Sequence, residues 1–165
     1  MTQIGQSMSF HRTLMDYSNQ FYFPALKNSR RFSKEDYAEA KSLAAYFSKL
    51  QQGWNGLKIV KLESNAKPVM QRGDMLTVTA YLDLGTISPN ELLVELYHGT
   101  VSNQSSEIAN AYKTEMKWLK DEGNLNLYQV RIECVDTGMQ GHTVRILPKH
   151  EALVHPYRCG FIKWA

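Results

Sequence analysis

A stretch in the middle of the chain decides the fold class, and it reads Asp74-Met75-Leu76-Thr77-Val78-Thr79-Ala80-Tyr81-Leu82-Asp83-Leu84. Apolar residues occupy every second position from Leu76 to Leu82, and Thr or Tyr fills the positions between them. A period of two places alternate side chains on opposite faces of a strand. Turn-forming residues lie on both sides, at Gly73-Asp74 and at residues 85–89. The stretch therefore predicts a β-strand with one face in the core.

Six other segments in the same half of the chain also predict short strands: residues 57–63, 92–99, 114–120, 125–135, 142–147 and 161–164. On the second of these, Val94 and Leu96 are expected to point inward, while Glu95 and Tyr97 point outward. No helical pattern interrupts this half, and a parallel sheet would need crossover helices. We therefore predict an antiparallel β-sandwich of immunoglobulin-like type at residues 56–165.

The first third of the chain, residues 1–55, predicts a helical extension with two helices. Apolar residues at spacings of three and four give the segment from Phe10 to Lys27 a wide aromatic face. Ser9 is its expected N-cap, and Pro24 is expected to end or kink the helix near Tyr22 because proline lacks the backbone N–H. The complete prediction is an α+β fold, in which two N-terminal helices precede the sandwich.

The second helix is predicted to begin at Ser33, which forms a weak version of the capping box with Asp36. Phe32 and Tyr37 flank this start as a hydrophobic staple. The buried stripe of the helix is expected to contain Tyr37, Ala40, Ala44, Phe47 and Leu50. Gly53 is expected to end the helix in the left-handed conformation.

The composition excludes several classes of protein. The 165 residues carry a net charge of +3 and are 43% hydrophobic, too apolar for a disordered chain and too weakly basic to indicate nucleic acid or an anionic membrane as a partner. No apolar run approaches the roughly 18 residues of a membrane span, and residues 1–7 do not resemble a secretory signal. We therefore expect a cytoplasmic protein. Its Cys134, buried on a strand, and Cys159 are expected to be reduced thiols, with a single disulfide as the alternative.

The sequence contains none of the motifs CxxC, HExxH, GxSxG, GxGxxG or the P-loop, which mark many catalytic and nucleotide-binding sites. His150, Glu151 and His155 could be drawn as a metal-binding group. Their spacing fits no helical pair, and Pro148 and Pro156 make the segment irregular, so loop histidines that are solvated or hydrogen-bonded are the better interpretation.

Four carboxylates lie on or beside the predicted strands: Glu91, Glu95, Glu133 and Asp136. Two of them could be drawn as a glycosidase pair. Glu95 and Glu133 occupy polar strand faces, where charged residues are expected without any catalytic role. We therefore predict that this chain has no catalytic, cofactor-binding or metal-binding residue.

Three aromatic residues on or near the predicted strands are candidate glucan contacts: Tyr97, Tyr112 and Trp118. An exposed ring can stack on the apolar C–H face of a sugar, whose edges form hydrogen bonds. The simpler interpretation, which we favour, is that these rings pack under the two N-terminal helices. Trp118 is the ring that we would substitute first, whereas Trp54, at the junction of helix and strand, is expected to be a core residue.

Two stretches of the chain carry a family resemblance. The first is Phe10-His11-Arg12-Thr13-Leu14-Met15-Asp16-Tyr17, continued by Phe21-Tyr22-Phe23-Pro24-Ala25. The second combines Val94-Glu95-Leu96-Tyr97-His98-Gly99 with Thr143-Val144-Arg145-Ile146-Leu147-Pro148-Lys149-His150 and Gly160-Phe161-Ile162-Lys163-Trp164-Ala165. In this order they resemble the last catalytic helix and the C-terminal β domain of bacterial and archaeal alpha-glucan phosphorylases. The departures are His142, where relatives often have Tyr, and residues 100–113.

The resemblance implies a parent enzyme that uses pyridoxal phosphate to cleave α-1,4-glucans with phosphate, which yields glucose 1-phosphate. The cofactor and the catalytic residues are expected upstream, in a large catalytic module that is the partner of this chain. Tyr17, Phe21 and Tyr22 are then expected to be buried against that module, and without it the exposed rings should make the chain self-associate.

Three functions remain open at this point. The resemblance favours a non-catalytic accessory domain of an alpha-glucan phosphorylase, with a structural or subunit-contact role. A carbohydrate-binding module that uses Trp118, Tyr112 or Tyr97 is the second candidate. The third is a standalone interaction protein that forms a homodimer through its Phe10–Phe23 helix.

Overall fold

The computed structural model describes residues 10–102, 107–153 and 155–165. The chain divides into two compact units, of which the first ends at Tyr46 and the second runs from Phe47 to Ala165. Helices make up the regular structure of the first unit, and antiparallel sheets dominate the second. The predicted order of two helical stretches followed by an antiparallel β region is therefore confirmed.

The first helical stretch is longer than predicted, because it continues through Pro24. It consists of α1 (Phe10–Tyr17), a π-helical turn (Ser18–Tyr22) and α2 (Phe23–Phe32). Pro24 lies in the first turn of α2, where the missing N–H of proline is tolerated. The expectation that Pro24 would end the helix near Tyr22 is wrong for this reason, whereas the alternative of a kink there stays a prediction. The predicted N-cap, Ser9, lies outside the described residues.

The second helix begins later than predicted, at Ala38. Ser33 instead follows the end of α2, where its backbone N–H and its side-chain Oγ both donate to the Ser29 carbonyl, the latter at 2.9 Å. A 3₁₀ turn (Glu35–Tyr37) precedes α3 (Ala38–Gly53). The three residues of this turn have φ values of 49°, 53° and 61°, which lie in the left-handed region and not in that of a right-handed helix. The Tyr37 side chain, predicted to be buried, is 55% exposed.

Gly53 ends α3 as predicted, but not in the left-handed conformation, since its φ lies outside the positive region. A Cβ atom at this position would lie 2.7 Å from Thr86 Oγ1 and 3.1 Å from Ile87 Cγ1. Glycine is therefore needed here because the helix end lies directly against the loop that follows the second strand.

The described part of the second unit contains eight strands, and all of their pairings are antiparallel. Their bounds are β1 (Lys58–Ser64), β2 (Met75–Asp83), β3 (Leu92–Val101), β4 (Ile108–Glu115), β5 (Lys117–Glu122), β6 (Leu125–Glu133), β7 (Gln140–Pro148) and β8 (Lys163–Trp164). One four-stranded sheet has the order β1-β2-β6-β5, and the other has the order β4-β3-β7-β8.

One strand was missed in the sequence, and another was predicted with the wrong bounds. The segment 114–120 is divided at the buried Met116, so that β4 ends at Glu115 and β5 begins at Lys117 on the other sheet. Most of β4 falls in residues 100–113, where no strand was predicted. β4 is an edge strand with mostly exposed side chains, so it lacks the alternation that reveals a half-buried strand.

Each sheet contributes one buried face to the core. In β2 and β3 the alternate residues predicted to point inward are buried, whereas their neighbours are half-buried. The largest fully buried side chains are Leu50, Leu57, Leu82, Leu96, Ile146, Leu147, Val78, Val94, Val144 and Pro148. β7 departs from the alternation, because all its residues from Val144 to Pro148 are buried. In the described part of the chain, no helix has the length and apolar character needed to cross a membrane.

Candidate functional site

Three aromatic rings of the first unit, Tyr17, Phe21 and Tyr22, form an exposed group that we call the aromatic cluster. The ring of Tyr17 lies 4.9 Å from that of Phe21 and 5.4 Å from that of Tyr22, measured between centroids. Their exposed fractions are 53%, 57% and 59%. Four more large apolar side chains of the same helical stretch are each at least half exposed: Leu14, Met15, Phe23 and Leu26.

The π-helical turn explains how the aromatic cluster is assembled. The backbone N–H of Phe23 donates to the Ser18 carbonyl, five residues earlier, instead of the four of an α-helix. This wider turn brings a residue five positions ahead close to the same face of the helix. Tyr22 therefore contacts Tyr17, which it would not face in a regular α-helix.

The motif residues of the second unit form a compact group around Arg145. Its guanidinium lies 5.3 Å from the Tyr97 ring centroid and 5.6 Å from that of Trp164, and it bonds to Glu95. Tyr97 and Trp164 also meet edge to face at 5.3 Å. The resemblance motifs in β3, β7 and β8 therefore meet at a packing centre of the domain.

The structure places the three candidate glucan-binding rings in different surroundings. Tyr97 is half-buried in the group around Arg145. Tyr112 lies on the edge strand β4, is 54% exposed and faces the His98 ring at 5.6 Å. Trp118 lies on β5 of the other sheet, is 47% exposed and donates from Nε1 to Asn126 Oδ1 at 3.0 Å. Glucan contact by these rings stays a prediction.

A cleft of about 240 Å³ lies where the ends of both sheets meet, and we call it the end cleft. Its polar and aromatic lining comes from His98, Tyr112, Glu133, Asp136, Gln140 and His142. Leu76 and Ile132, which pair across β2 and β6, form its apolar side.

The strand register explains why two histidines line the end cleft. The buried Leu96 pairs with the buried Val144 across β3 and β7, and the next inward pair is His98 with His142. The inward faces of both strands thus change from aliphatic side chains to imidazoles at the end of the core. The sequence analysis did not predict that these histidines share a site. Extending the period of two from Leu96 would have placed His98 on the inward face of its strand.

Burial lowers the pKa of both histidines below the usual value, and the neighbouring His142 lowers the pKa of His98 further, while Asp136 partly opposes this. Both imidazoles are therefore neutral at pH 7. His98 Nε2 lies 3.2 Å from Thr114 Oγ1, within hydrogen-bond distance. The cleft thus combines neutral imidazoles with one nearby carboxylate, that of Asp136.

The structure places the four candidate carboxylates in different surroundings. Glu95 bonds to Arg145 inside its sheet, and Glu91 accepts a hydrogen bond from Lys49 Nζ at 2.6 Å. Glu133 and Asp136 both line the end cleft. Within the described part of the chain, neither of the last two forms an ion pair.

The loop histidines are held by local contacts. His150 Nδ1 accepts a hydrogen bond from the Ala152 backbone N–H at 3.1 Å, and the His155 ring lies 5.6 Å from that of Tyr157. Among the described residues, no group of three or more His, Cys, Asp or Glu side chains is arranged to bind a metal ion.

Both cysteines are free thiols in the structure. Cys134 follows β6 and is half-buried, so the prediction that it is buried on a strand is wrong. Cys159 Sγ donates to the Pro156 carbonyl at 2.6 Å.

The end cleft does not fit pyridoxal phosphate. That cofactor needs a lysine amine for its aldehyde and donors for its phosphate group. Within the described residues the cleft lining includes the acidic residues Glu133 and Asp136 but neither Lys nor Arg. No catalytic step is therefore assigned to this chain through that cofactor.

Comparison with known proteins identifies the family. The model of the glycogen phosphorylase C-terminal domain matches residues 54–165. A maltodextrin phosphorylase from Thermococcus litoralis is 26% identical over an alignment of 166 positions, which covers 98% of this chain and 19% of that protein. A glycogen phosphorylase from Mycobacterium tuberculosis is 26% identical over 164 residues, again 98% of this chain and 19% of that protein. The chain thus spans about a fifth of the length of these curated relatives. Since the family model covers most of the chain, including every strand of the second unit, the chain belongs to the glycogen phosphorylase C-terminal domain family.

Proposed function

We propose that this chain is a non-catalytic accessory domain of an alpha-glucan phosphorylase, with a structural role at a contact with the catalytic module. The observation that carries the proposal is the exposed aromatic cluster in a chain that matches about a fifth of its relatives' length. The proposed parent cleaves α-1,4-glucan with phosphate, as a cytoplasmic glycosyltransferase of carbohydrate metabolism. Its pyridoxal phosphate is held by the catalytic module.

We further infer that the second unit is an immunoglobulin-like sandwich. In that fold the first, second, fifth and fourth strands form one sheet, and the remaining strands form the other. We take β4 as an additional strand beside β3 and leave it out of the count, so that β5 is the fourth strand and β6 the fifth. The order β1-β2-β6-β5 then matches the first sheet of that fold. The single buried face of each sheet supports two packed layers. As predicted domains, we retain residues 1–55 and 56–165.

The docking role rests on how much apolar surface the first helical stretch leaves exposed. Large contiguous apolar patches are rare on monomeric proteins and mark contact sites. Aromatic side chains are also enriched at the centres of protein interfaces. The relatives have about four-fifths of their length outside the matched region, so a catalytic module is the partner that we propose for the aromatic cluster.

A binding experiment with separate chains tests this docking. The 165-residue chain is mixed with the catalytic module of a phosphorylase from the same genome, and the complex is followed by size-exclusion chromatography and calorimetry. We expect the triple variant Tyr17→Ser/Phe21→Ser/Tyr22→Ser to bind at least about tenfold more weakly. The matched control Tyr37→Ser/Trp118→Ser/Tyr157→Ser replaces three similarly exposed rings elsewhere and should bind normally.

Two outcomes would contradict the proposal. Equal binding by the triple variant and the wild type would show that the aromatic cluster is not the contact. If the chain does not bind the module but forms a homodimer that the triple variant abolishes, the standalone dimer through Phe10–Phe23 becomes the better explanation. Sedimentation velocity of the chain alone at several concentrations distinguishes these cases.

A further inference from the structure

We propose that the end cleft binds one neutral sugar ring, the terminal glucose unit of an α-glucan. The choice of glucose rests on the proposed function, whereas the choice of a neutral pyranose rests on the cleft itself. The volume of about 240 Å³ is below the roughly 300–1,000 Å³ of pockets that hold drug-sized molecules. The cleft therefore suits a single ring at the end of a chain and not several consecutive residues.

The walls of the cleft match the two kinds of surface that a pyranose presents. The exposed Tyr112 ring and the pair Leu76 and Ile132 supply apolar surface for the C–H face of the sugar. The ring planes of Tyr112 and His98 are inclined by 31° with centroids 5.6 Å apart, so Tyr112 has a neighbour that supports its orientation.

The polar side chains of the cleft match the hydroxyl groups at the sugar's edge. The Asp136 carboxylate, which acts on the His98 imidazole, can accept hydrogen bonds, and the Gln140 amide both donates and accepts. His98 and His142 are neutral at pH 7, and a neutral imidazole offers one donor and one acceptor.

The charges of the cleft select against anionic ligands. The Asp136 carboxylate lies near the His98 imidazole, and among the described lining residues there is no Lys or Arg to hold a phosphate group. Glucose 1-phosphate and inorganic phosphate are therefore poor occupants. A metal ion is also disfavoured, because the described residues have no metal-binding arrangement.

Titration of the 165-residue chain with maltotriose tests the proposal. The imidazole C–H resonances of His98 and His142 are observed by NMR, together with calorimetry. We expect these resonances to shift, with a dissociation constant on the order of 1 mM. Glucose 1-phosphate at the same concentration should cause a smaller shift. Cellotriose shows whether the glycosidic linkage outside the cleft matters.

Two aromatic variants give a matched comparison. Tyr112 and Trp118 are about equally exposed, both lie on edge strands, and they belong to different sheets. We expect Tyr112→Ala to weaken maltotriose binding about tenfold and Trp118→Ala to leave it unchanged. If Tyr112→Ala disturbs the fold, as judged by the backbone NMR spectrum, Asp136→Asn in the loop after β6 replaces it and should weaken binding similarly.

The proposal is overturned if neither imidazole resonance shifts at about 10 mM maltotriose. It is equally overturned if Trp118→Ala abolishes binding while Tyr112→Ala does not, because the sugar would then bind on β5. Tighter binding of glucose 1-phosphate than of maltotriose would replace the neutral sugar with an anion. None of these outcomes depends on docking to a catalytic module, so this proposal and the proposed function can fail separately.

Discussion

Arg145 on β7 donates a hydrogen bond from Nε to Oε2 of Glu95 on β3 at 2.7 Å, and the two residues are paired in register across the sheet. Their side chains are only 10% and 14% exposed. The rings of Tyr97 and Trp164 pack on the guanidinium, so a buried charge pair is covered by aromatic surface. The ion pair joins β3 to β7, and the Trp164 ring that packs on it adds β8 to the same contact.

Breaking this ion pair should destabilise the domain strongly. Glu95→Gln leaves the Arg145 charge buried without its partner, and we expect the free energy of unfolding to fall by about 3 kcal/mol. Urea denaturation followed by tryptophan fluorescence measures the change. Glu122→Gln is the control, because it removes one partner of the exposed Lys120–Glu122 pair and should cost less than about 1 kcal/mol. A loss as small as that of the control would mean that the buried pair contributes no stability.

Gly53→Ala should destabilise the second unit although alanine favours helix. The new Cβ would meet Thr86 Oγ1 at 2.7 Å, and the cost of such overpacking is about 1–3 kcal/mol, against a gain in helix propensity of about 1 kcal/mol. Gly56→Ala is the control, since its Cβ has only an ordinary contact of 3.4 Å with the Gly53 carbonyl. Adding Thr86→Ala to Gly53→Ala should restore part of the lost stability, as measured by urea denaturation. A stabilising Gly53→Ala would contradict the close approach.

Removing the hydroxyl of Tyr128 should cost no stability. This hydroxyl is buried and has no hydrogen-bond partner in the described part of the chain, and burial raises the pKa of Tyr128 to about 12. An unsatisfied polar group is costly to bury, so we expect Tyr128→Phe to raise the free energy of unfolding by about 1 kcal/mol. Tyr81→Phe should give no such gain, because the Tyr81 hydroxyl donates to Glu63 at 2.8 Å. A destabilised Tyr128→Phe would indicate that the hydroxyl has a partner in solution.

The two histidines of the end cleft should make the domain less stable in mild acid. Their pKa values are lowered in the folded state, mainly by burial, so below about pH 6.5 the unfolded chain binds protons that the folded chain does not. The free energy of unfolding therefore falls as the pH decreases from about 6.5, and the loss levels off below the lowered pKa values.

Urea denaturation at about pH 7.5 and about pH 5.5 measures this dependence. The double variant His98→Gln/His142→Gln should show a smaller loss of stability between the two pH values than the wild type. His155→Gln, at an exposed loop histidine beside Tyr157, should behave like the wild type. An unchanged pH dependence in the double variant would show that other groups control it.

Strands with one buried face and helices with one apolar face could be predicted from the sequence. β2, β3 and β6 alternate because each has one face in the core, and the structure confirms them with bounds within two residues. The aromatic face of the first helical stretch was likewise visible as spacings of three and four. The π-helical turn could not be predicted, because no residue pattern around Ser18 indicates that its carbonyl accepts a hydrogen bond from the residue five positions later.

Other features depend on partners that are distant in the sequence. β4 is a strand because β3 pairs with it, and Gly53 must be glycine because Thr86 lies against it. Tyr97 points outward as predicted, yet the neighbouring strands bring Arg145 and Trp164 over its ring. The aromatic rings that are candidate glucan contacts therefore differ in accessibility, and the spacing of residues in the sequence does not predict this difference.

The sequence by itself determined the order of helices and antiparallel strands, the inward faces of the strands with one buried side, and the family. Periodicity carries this information because burial of one face is a local property of each element. Only the tertiary structure decided that His98, His142, Tyr112, Glu133 and Asp136 meet in one cleft. Strand register and the meeting of two sheet ends bring them together, and these depend on contacts between residues far apart in the chain.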